Sequence, residues 1–312
     1  MIKPTSRRIT ISQEVRNAFS QRQGVVALES TVITHGLPYP DNLATAQALE
    51  ACVRDEGAVA ATIAVLEGQI HVGLSAEQLE KLAKDEQALK LSRRDLPLAM
   101  SIQKNGGTTV ATTMMIAHEA DIRIFATGGI GGVHRGAEST FDISADLEEL
   151  ANTSVCVVCA GAKAVLDIPK TLEVLETKGV PTISYGCDEF PAFYYRNSGL
   201  SPSARLDKVS DIANLLIHKW NLARWPDALH FKGGVLIANP IKLEDEFAKE
   251  EVEGLISQAL SEMSVTGRDV TPYLLAKLGE LSEGQSKASN IALLKNNATL
   301  AAQIANELVK NC

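Results

Sequence analysis

Short apolar runs recur along the chain at 25–28, 62–66, 122–126, 155–160, 182–185 and 234–238, and longer amphipathic stretches separate them. Runs this short and this uniformly apolar predict strands buried on both faces, as in a mostly parallel sheet. Apolar residues at helical spacing predict helices over 42–56, 76–84, 146–151, 171–178, 209–222, 245–262 and 289–310. The alternation of the two patterns predicts an α/β fold with a helical C-terminal part. Pro191, Pro202, Pro226 and Pro240 punctuate the second half as loops. There is no internal repeat and no low-complexity linker, so residues 1–312 read as a single domain.

Composition narrows the function class. With 312 residues, 45% hydrophobic and 22% charged, the chain can bury a substantial core. A formal charge of -8 argues against a nucleic-acid polymer as partner, because phosphate-backbone binders present a basic face. A nucleotide-sized ligand stays open. Five cysteines, an odd number without a periodic framework, suit a reducing compartment. Cys156-Val-Val-Cys159 resembles a redox or zinc motif, yet a strand would point its two thiols to opposite faces. The first 22 residues carry Arg7, Arg8, Glu14 and Arg16 without a signal-like apolar core, and no run approaches a membrane span. A cytoplasmic protein without membrane contact is the expectation.

Candidate chemistry concentrates after the apolar run 122–126. Gly128, Gly129, Gly131 and Gly132 allow close backbone approach to a ligand. They do not form a dinucleotide fingerprint, since the third glycine is missing, and no Gly-Lys-Ser/Thr follows as in a Walker A loop. Glu29 stands at the end of run 25–28, where ligands of open α/β sheets gather, and an apolar setting would raise its pKa and suit a general acid. Lys163 follows run 155–160 through Gly161 and Ala162 and reads as entering a helix, where an amine that sheds its proton becomes a nucleophile for carbonyl or imine chemistry.

Asp142 and Asp146 flank Ser144 at a spacing that can serve a hard divalent ion through water, although Asp146 also reads as a helix N-cap. His134 and Arg135 add anion donors. Lys90, Arg93 and Arg94, with the glycine amides and hydroxyls of 105–113, could cradle a phosphate. Five of the fourteen aromatics, Tyr185, Phe190, Phe193, Tyr194 and Tyr195, crowd one segment, which reads as a base-stacking lid or, in preference, an oligomer interface. Asn290, Asn296 and Asn297 either cap helices or reach the site. A sugar or nucleoside kinase would need a catalytic Asp in a loop opening a helix, which has no convincing place here. A noncatalytic binding protein leaves the joint presence of Glu29, Asp142 and Lys163 unexplained.

The segments ALESTVITHGLPYP, SRRDLP, NGGTTVATTM, GGIGGVHRGAESTFDISADL, VCAGAKAVLDIPKTLEVLETKGVP and GGVLIANP, in this order over nearly the whole chain, resemble the pseudouridine-5'-phosphate glycosidases and their indigoidine-cluster homologues. The resemblance implies a three-layer α/β/α fold, a homotrimer, one divalent ion per subunit, usually manganese, and reversible cleavage of a nucleotide, pseudouridine 5'-phosphate, to uracil and ribose 5-phosphate. Carried over by position, it makes Lys163 the nucleophile, Glu29 the proton donor and Asp142 the metal ligand. It makes Lys90, Val110, Ser144, Ala145 and Asp146 substrate contacts, and His134 joins them as an anion donor.

Overall fold

The computed structural model describes residues 9–224, 229, 231–265 and 270–311. Its strands are β1 (Ile9–Ile11), β2 (Val25–Leu28), β3 (Val59–Leu66), β4 (Gln69–Val72), β5 (Leu89–Leu91), β6 (Gly106–Thr108), β7 (Ile124–Ala126), β8 (Cys156–Cys159), β9 (Thr182–Tyr185), β10 (Ala204–Leu206) and β11 (Val235–Ala238). They form one sheet in the order β1-β4-β3-β2-β7-β8-β11-β9-β10, with β6 also pairing β3 and β5 pairing β6. From β3 through β2, β7, β8, β11 and β9 to β10 every pairing is parallel. β4 and β6 run antiparallel to β3, and β1 and β5 follow them. The sheet is thus mixed but mostly parallel, and each apolar run of the sequence lies within or overlaps one of its buried strands.

Helices flank the sheet. The long C-terminal helix Gln285–Lys310 lies across β2, β7 and β8 and packs on Asp41–Asp55 and Val209–Trp220. Val110–Glu119 packs on β2, β3, β6 and β7 and against Ala145–Asn152, which in turn meets Ile168–Thr177. No helix among the described residues is long and apolar enough to cross a membrane. All seven predicted helices are present, with shifted ends. Stretch 245–262 begins as a short 3-10 turn, Leu243–Asp245, and turns α-helical at Lys249–Ser261. Stretch 171–178 starts earlier, at Ile168, because Asp167 caps it and Pro169 occupies its first turn. Pro226 and residues 1–8 lie outside the described residues.

Three sequence readings are corrected here. Lys163 does not open a helix; it stands in the connection before Ile168–Thr177. The N-cap of Ala145–Asn152 is Ser144, whose side chain accepts from the Asp146 N–H, and Asp146 belongs to the first turn. Phe190, Phe193, Tyr194 and Tyr195 are buried inside this chain and pack edge to face where they meet, so they are core and site wall instead of a surface for a partner. The Cys156 and Cys159 thiols are fully buried in β8, and burial pushes the pKa of both up, that of Cys159 to about 12, which keeps them protonated and unreactive.

Candidate active site

Three adjacent parallel strands, β2, β7 and β8, deliver their carboxyl ends to one edge of the sheet. Glu29 follows β2, the glycine-rich loop follows β7 and Lys163 follows β8, so the crevice expected beyond parallel strand ends receives all three. The last two connections stay zipped beyond the strands. Ala160 N–H donates to Gly128 O at 2.8 Å, Ile130 N–H to Gly161 O at 3.1 Å, Lys163 N–H to Ile130 O at 3.1 Å and Asp167 N–H to Val133 O at 2.9 Å. From below, the buried Asn297 amide donates to Thr127 O at 2.8 Å while its oxygen accepts from Asn239 at 3.1 Å. Backbone hydrogen bonds, not flexible side chains, therefore fix where the lysine stands.

Close packing explains two of the glycines. Gly161 has φ +91° and passes within 2.1 Å, at the position a Cβ would take, of the Pro191 carbonyl. Gly131 donates its N–H to Asp146 Oδ2 at 2.8 Å, and a Cβ there would meet Ser144 Oγ at 2.3 Å. The Gly131→Ala variant is expected to displace the Ser144–Asp146 turn. Its unfolding midpoint in urea should fall by an amount worth about 1–3 kcal/mol, and its turnover should fall with it; an unchanged midpoint would refute the packing argument.

The loops enclose two communicating chambers. The inner one, about 60 Å³, has apolar walls from Val32, Phe193, Leu275 and Leu294 with Asn290 and His35 among them. The outer one, open to solvent and about 860 Å³, carries Arg93, Arg94, Val110, His134, Asp142, Ser144, Ala145 and Asp146. Glu29, Thr31, Lys90 and Lys163 line both, which makes them the neck between the two. The structure thus brings together Glu29, Lys90, Val110, His134, Asp142, Ser144, Ala145, Asp146 and Lys163, and it adds Thr31; Arg135 is instead turned to Glu253, 3.1 Å away, and lines neither chamber. Only two buried side-chain oxygens among the described residues lack a hydrogen-bond partner, Thr31 Oγ1 and Thr109 Oγ1, and both residues stand on these walls.

Electrostatics differentiate the neck. Burial raises the Glu29 pKa, opposed by the positive charge of Lys163 and by a short hydrogen bond from the Thr127 hydroxyl. Burial lowers the His134 pKa, opposed by Asp142, whose Oδ2 lies 3.9 Å from Nδ1. The Asp146 carboxylate is fully employed, with Oδ1 accepting from Ala111 N–H at 2.9 Å and Oδ2 from Gly131.

That assignment decides what a metal could use. Among the described residues no three His, Cys, Asp or Glu side chains gather as a ligand cage. Of the acids that line the outer chamber, Asp146 accepts from two backbone amides, Asp95 from the Ser92 N–H and Glu29 from the Thr127 hydroxyl, and Glu148 pairs with Lys178, which leaves Asp142, 3.9 Å from His134 Nδ1, as the candidate ligand. This donor set fits a hard ion bound by one carboxylate, waters and substrate oxygens, and does not fit a stripped transition-metal site.

The profile of indigoidine synthase A-like proteins matches residues 14–307. Pseudouridine-5'-phosphate glycosidases are similar over almost the whole chain. That of Solibacter usitatus is 57% identical over 96% of this chain and 99% of its own, and that of Deinococcus radiodurans 52% identical over 99% and 98%. Two crystal structures share the fold at TM-score 0.87. One is an indigoidine synthase A-like protein from Thermotoga maritima, at 32% identity over 99% of this chain and 100% of that one. The other is the prealnumycin C-glycosynthase AlnA in complex with ribulose 5-phosphate, at 36% identity over 97% of each chain. Matched from end to end in sequence and in fold, the chain belongs to the family of the indigoidine synthase A-like proteins and the pseudouridine-5'-phosphate glycosidases.

Proposed function

We propose that the protein cleaves the C-glycosidic bond of pseudouridine 5'-phosphate, reversibly, to give uracil and ribose 5-phosphate. The observation that carries this reading is the neck, where a part-buried carboxyl with a raised pKa and a lysine stand at one junction between an apolar chamber and a polar one that carries Arg93 and Arg94 among its acids. Relatives more than half identical bear the name of that activity, and a neighbour of the same fold was crystallised with a pentose 5-phosphate. The apolar chamber suits the base, and the arginines of the outer chamber suit the phosphate.

The substrate dictates the chemistry. Ribose is joined to uracil carbon C5, so there is no glycosidic oxygen or nitrogen to protonate, and a pair of carboxylates alone is insufficient. In the proposed sequence, protonated Glu29 gives its proton to the ring oxygen O4' as the C1'–O4' bond breaks. The N1 electron pair of uracil supplies the push, and N1 loses its proton. The Lys163 amine then adds to C1' and returns the electron pair to the ring. The proton that the lysine nitrogen sheds after adding to C1' is delivered to C5, and the C1'–C5 pair then flows back into the uracil ring, whose N1 regains a proton from water, while the nitrogen pair forms a C=N bond to C1'. Uracil leaves, and water hydrolyses the imine to ribose 5-phosphate and free lysine.

A divalent ion, manganese by resemblance, would be held by Asp142 and waters, and its chemistry would be to orient substrate oxygens. His134 beside it, Lys90 at the neck and the wall residues Val110, Ser144, Ala145 and Asp146 contact the sugar phosphate, with the first-turn amides of Val110 and Ala145 turned to it. The resemblance brings a homotrimer with it, and sedimentation equilibrium reads that mass directly.

Chromatography should detect uracil after the purified protein is mixed with pseudouridine 5'-phosphate and manganese, with at least a tenfold drop on chelation and recovery on re-addition. Release untouched by chelator would remove the metal from the proposal; no release under either condition would remove the reaction.

A further inference from the structure

The outer chamber holds three cationic side chains besides Lys163, and they are held very differently. Lys90 stands at the neck, near the reacting end. Arg94 is 81% exposed and reaches only its neighbour Asp95, at 3.7 Å. Arg93 is anchored: its Nη1 donates to Glu149 Oε2 at 3.0 Å, and the Glu149 side chain is only 2% exposed. Glu149 Oε1 in turn accepts from the Thr153 hydroxyl. Glu149 lies one turn beyond Asp146 on Ala145–Asn152, the helix whose first residues line the same chamber.

A carboxylate taken out of water beside a half-exposed arginine gains little as a stability device, because desolvation of the acid offsets the attraction. Its consequence is geometric. It fixes a long side chain that would otherwise sample many rotamers, and it occupies Nη1 while a guanidinium offers five N–H donors in a fixed fork. The remaining donors match the paired oxygens of a phosphate. The backbone start of Val110–Glu119 opens into the same chamber with the unpartnered Thr109 hydroxyl beside it, which adds an independent sign that an oxygen-rich ligand completes this wall.

We infer that Arg93, held in place by Glu149, grips the 5'-phosphate of the sugar and thereby sets the preference for phosphorylated over unphosphorylated substrates. This deepens the proposed function and rests on it for the identity of the sugar. Arg93 is the specificity-determining contact, and Glu149, which touches no ligand, is a positioning residue.

Calorimetric titration of the full chain with ribose 5-phosphate, ribose and inorganic phosphate tests the assignment. In Arg93→Ala, affinity for ribose 5-phosphate and inorganic phosphate should fall ~10- to 100-fold, the range of a lost charge-assisted contact, with ribose unchanged. Arg93→Lys should recover part of the loss. Glu149→Gln, which keeps an acceptor for Thr153, should weaken phosphate binding by a smaller factor while its far-ultraviolet circular dichroism stays native. Equal loss for ribose and ribose 5-phosphate, or wild-type phosphate affinity in Arg93→Ala, would overturn the assignment. The wider reading fails separately: normal phosphate titrations with no uracil released would sink the reaction and leave the Arg93 assignment standing.

Discussion

Lys163→Ala is expected to lose at least ~10⁴-fold in turnover, the order seen when a covalent nucleophile is removed, while melting as the parent does. The fold uses this residue through its backbone N–H, which bonds Ile130 O and survives the substitution. In the parent, borohydride in the presence of ribose 5-phosphate should reduce the imine and leave one pentose phosphate on the peptide that carries Lys163. Lys90 makes the experiment decisive, because it lines the same neck and is the other amine within reach of the sugar. Capture on Lys90, or near-parental turnover in Lys163→Ala, would sink the covalent proposal. Lys163→Arg should be as inactive as alanine: the guanidinium stays protonated and cannot attack carbon.

How much of this was legible in the sequence follows from where each residue is buried. The central strands were readable because β2, β7, β8, β9 and β11 carry almost unbroken apolar runs. β1, β4, β5, β6 and β10 were not. As short as the others, they each carry a polar residue or glycine (Thr10, Gln69 and His71, Lys90, Gly106 and Gly107, Arg205), and β1 and β10 lie at sheet edges, so no unbroken apolar run marks them. Helix Val110–Glu119 escaped for the opposite reason, being buried on nearly all sides and therefore without a polar stripe. Glu29 and Lys163 stood out as charged residues directly after apolar runs, and the strand order that makes those runs neighbours is a tertiary fact no local pattern holds. Phe193 was read with an aromatic cluster, and its place in the inner wall depends on its N–H reaching Ala160 O at 2.9 Å across the fold. Asp146 gave the ambiguous signal its two possible roles allow, and the structure commits both its oxygens to backbone amides.

Glu29→Gln is the second large effect, and its value lies in separating acid catalysis from architecture. Glutamine keeps an oxygen to accept from the Thr127 hydroxyl and nearly the same shape, but it has no proton to give. Turnover of pseudouridine 5'-phosphate should fall about 10²- to 10⁴-fold, the usual worth of a positioned general acid. Capture of ribose 5-phosphate on Lys163 should persist, since that sugar opens its ring without the enzyme. The pH dependence carries a definite sign. Burial raises the Glu29 pKa in the folded chain above its ordinary 4.5, so the native state holds the proton more tightly than the unfolded one. The stabilising contribution is therefore complete below pH 4.5 and is lost as pH climbs through the raised value, where a carboxylate must be carried in a part-buried neck. The parent's kcat/KM should decline over the same climb as the acid form disappears. The glutamine variant has no such titration. Its melting temperature relative to the parent should rise with pH across that window, making it the more stable protein where it is the less active one. A variant that turns over normally, or a gap in melting temperature that is flat with pH, would show that Glu29 is not the buried acid of this site.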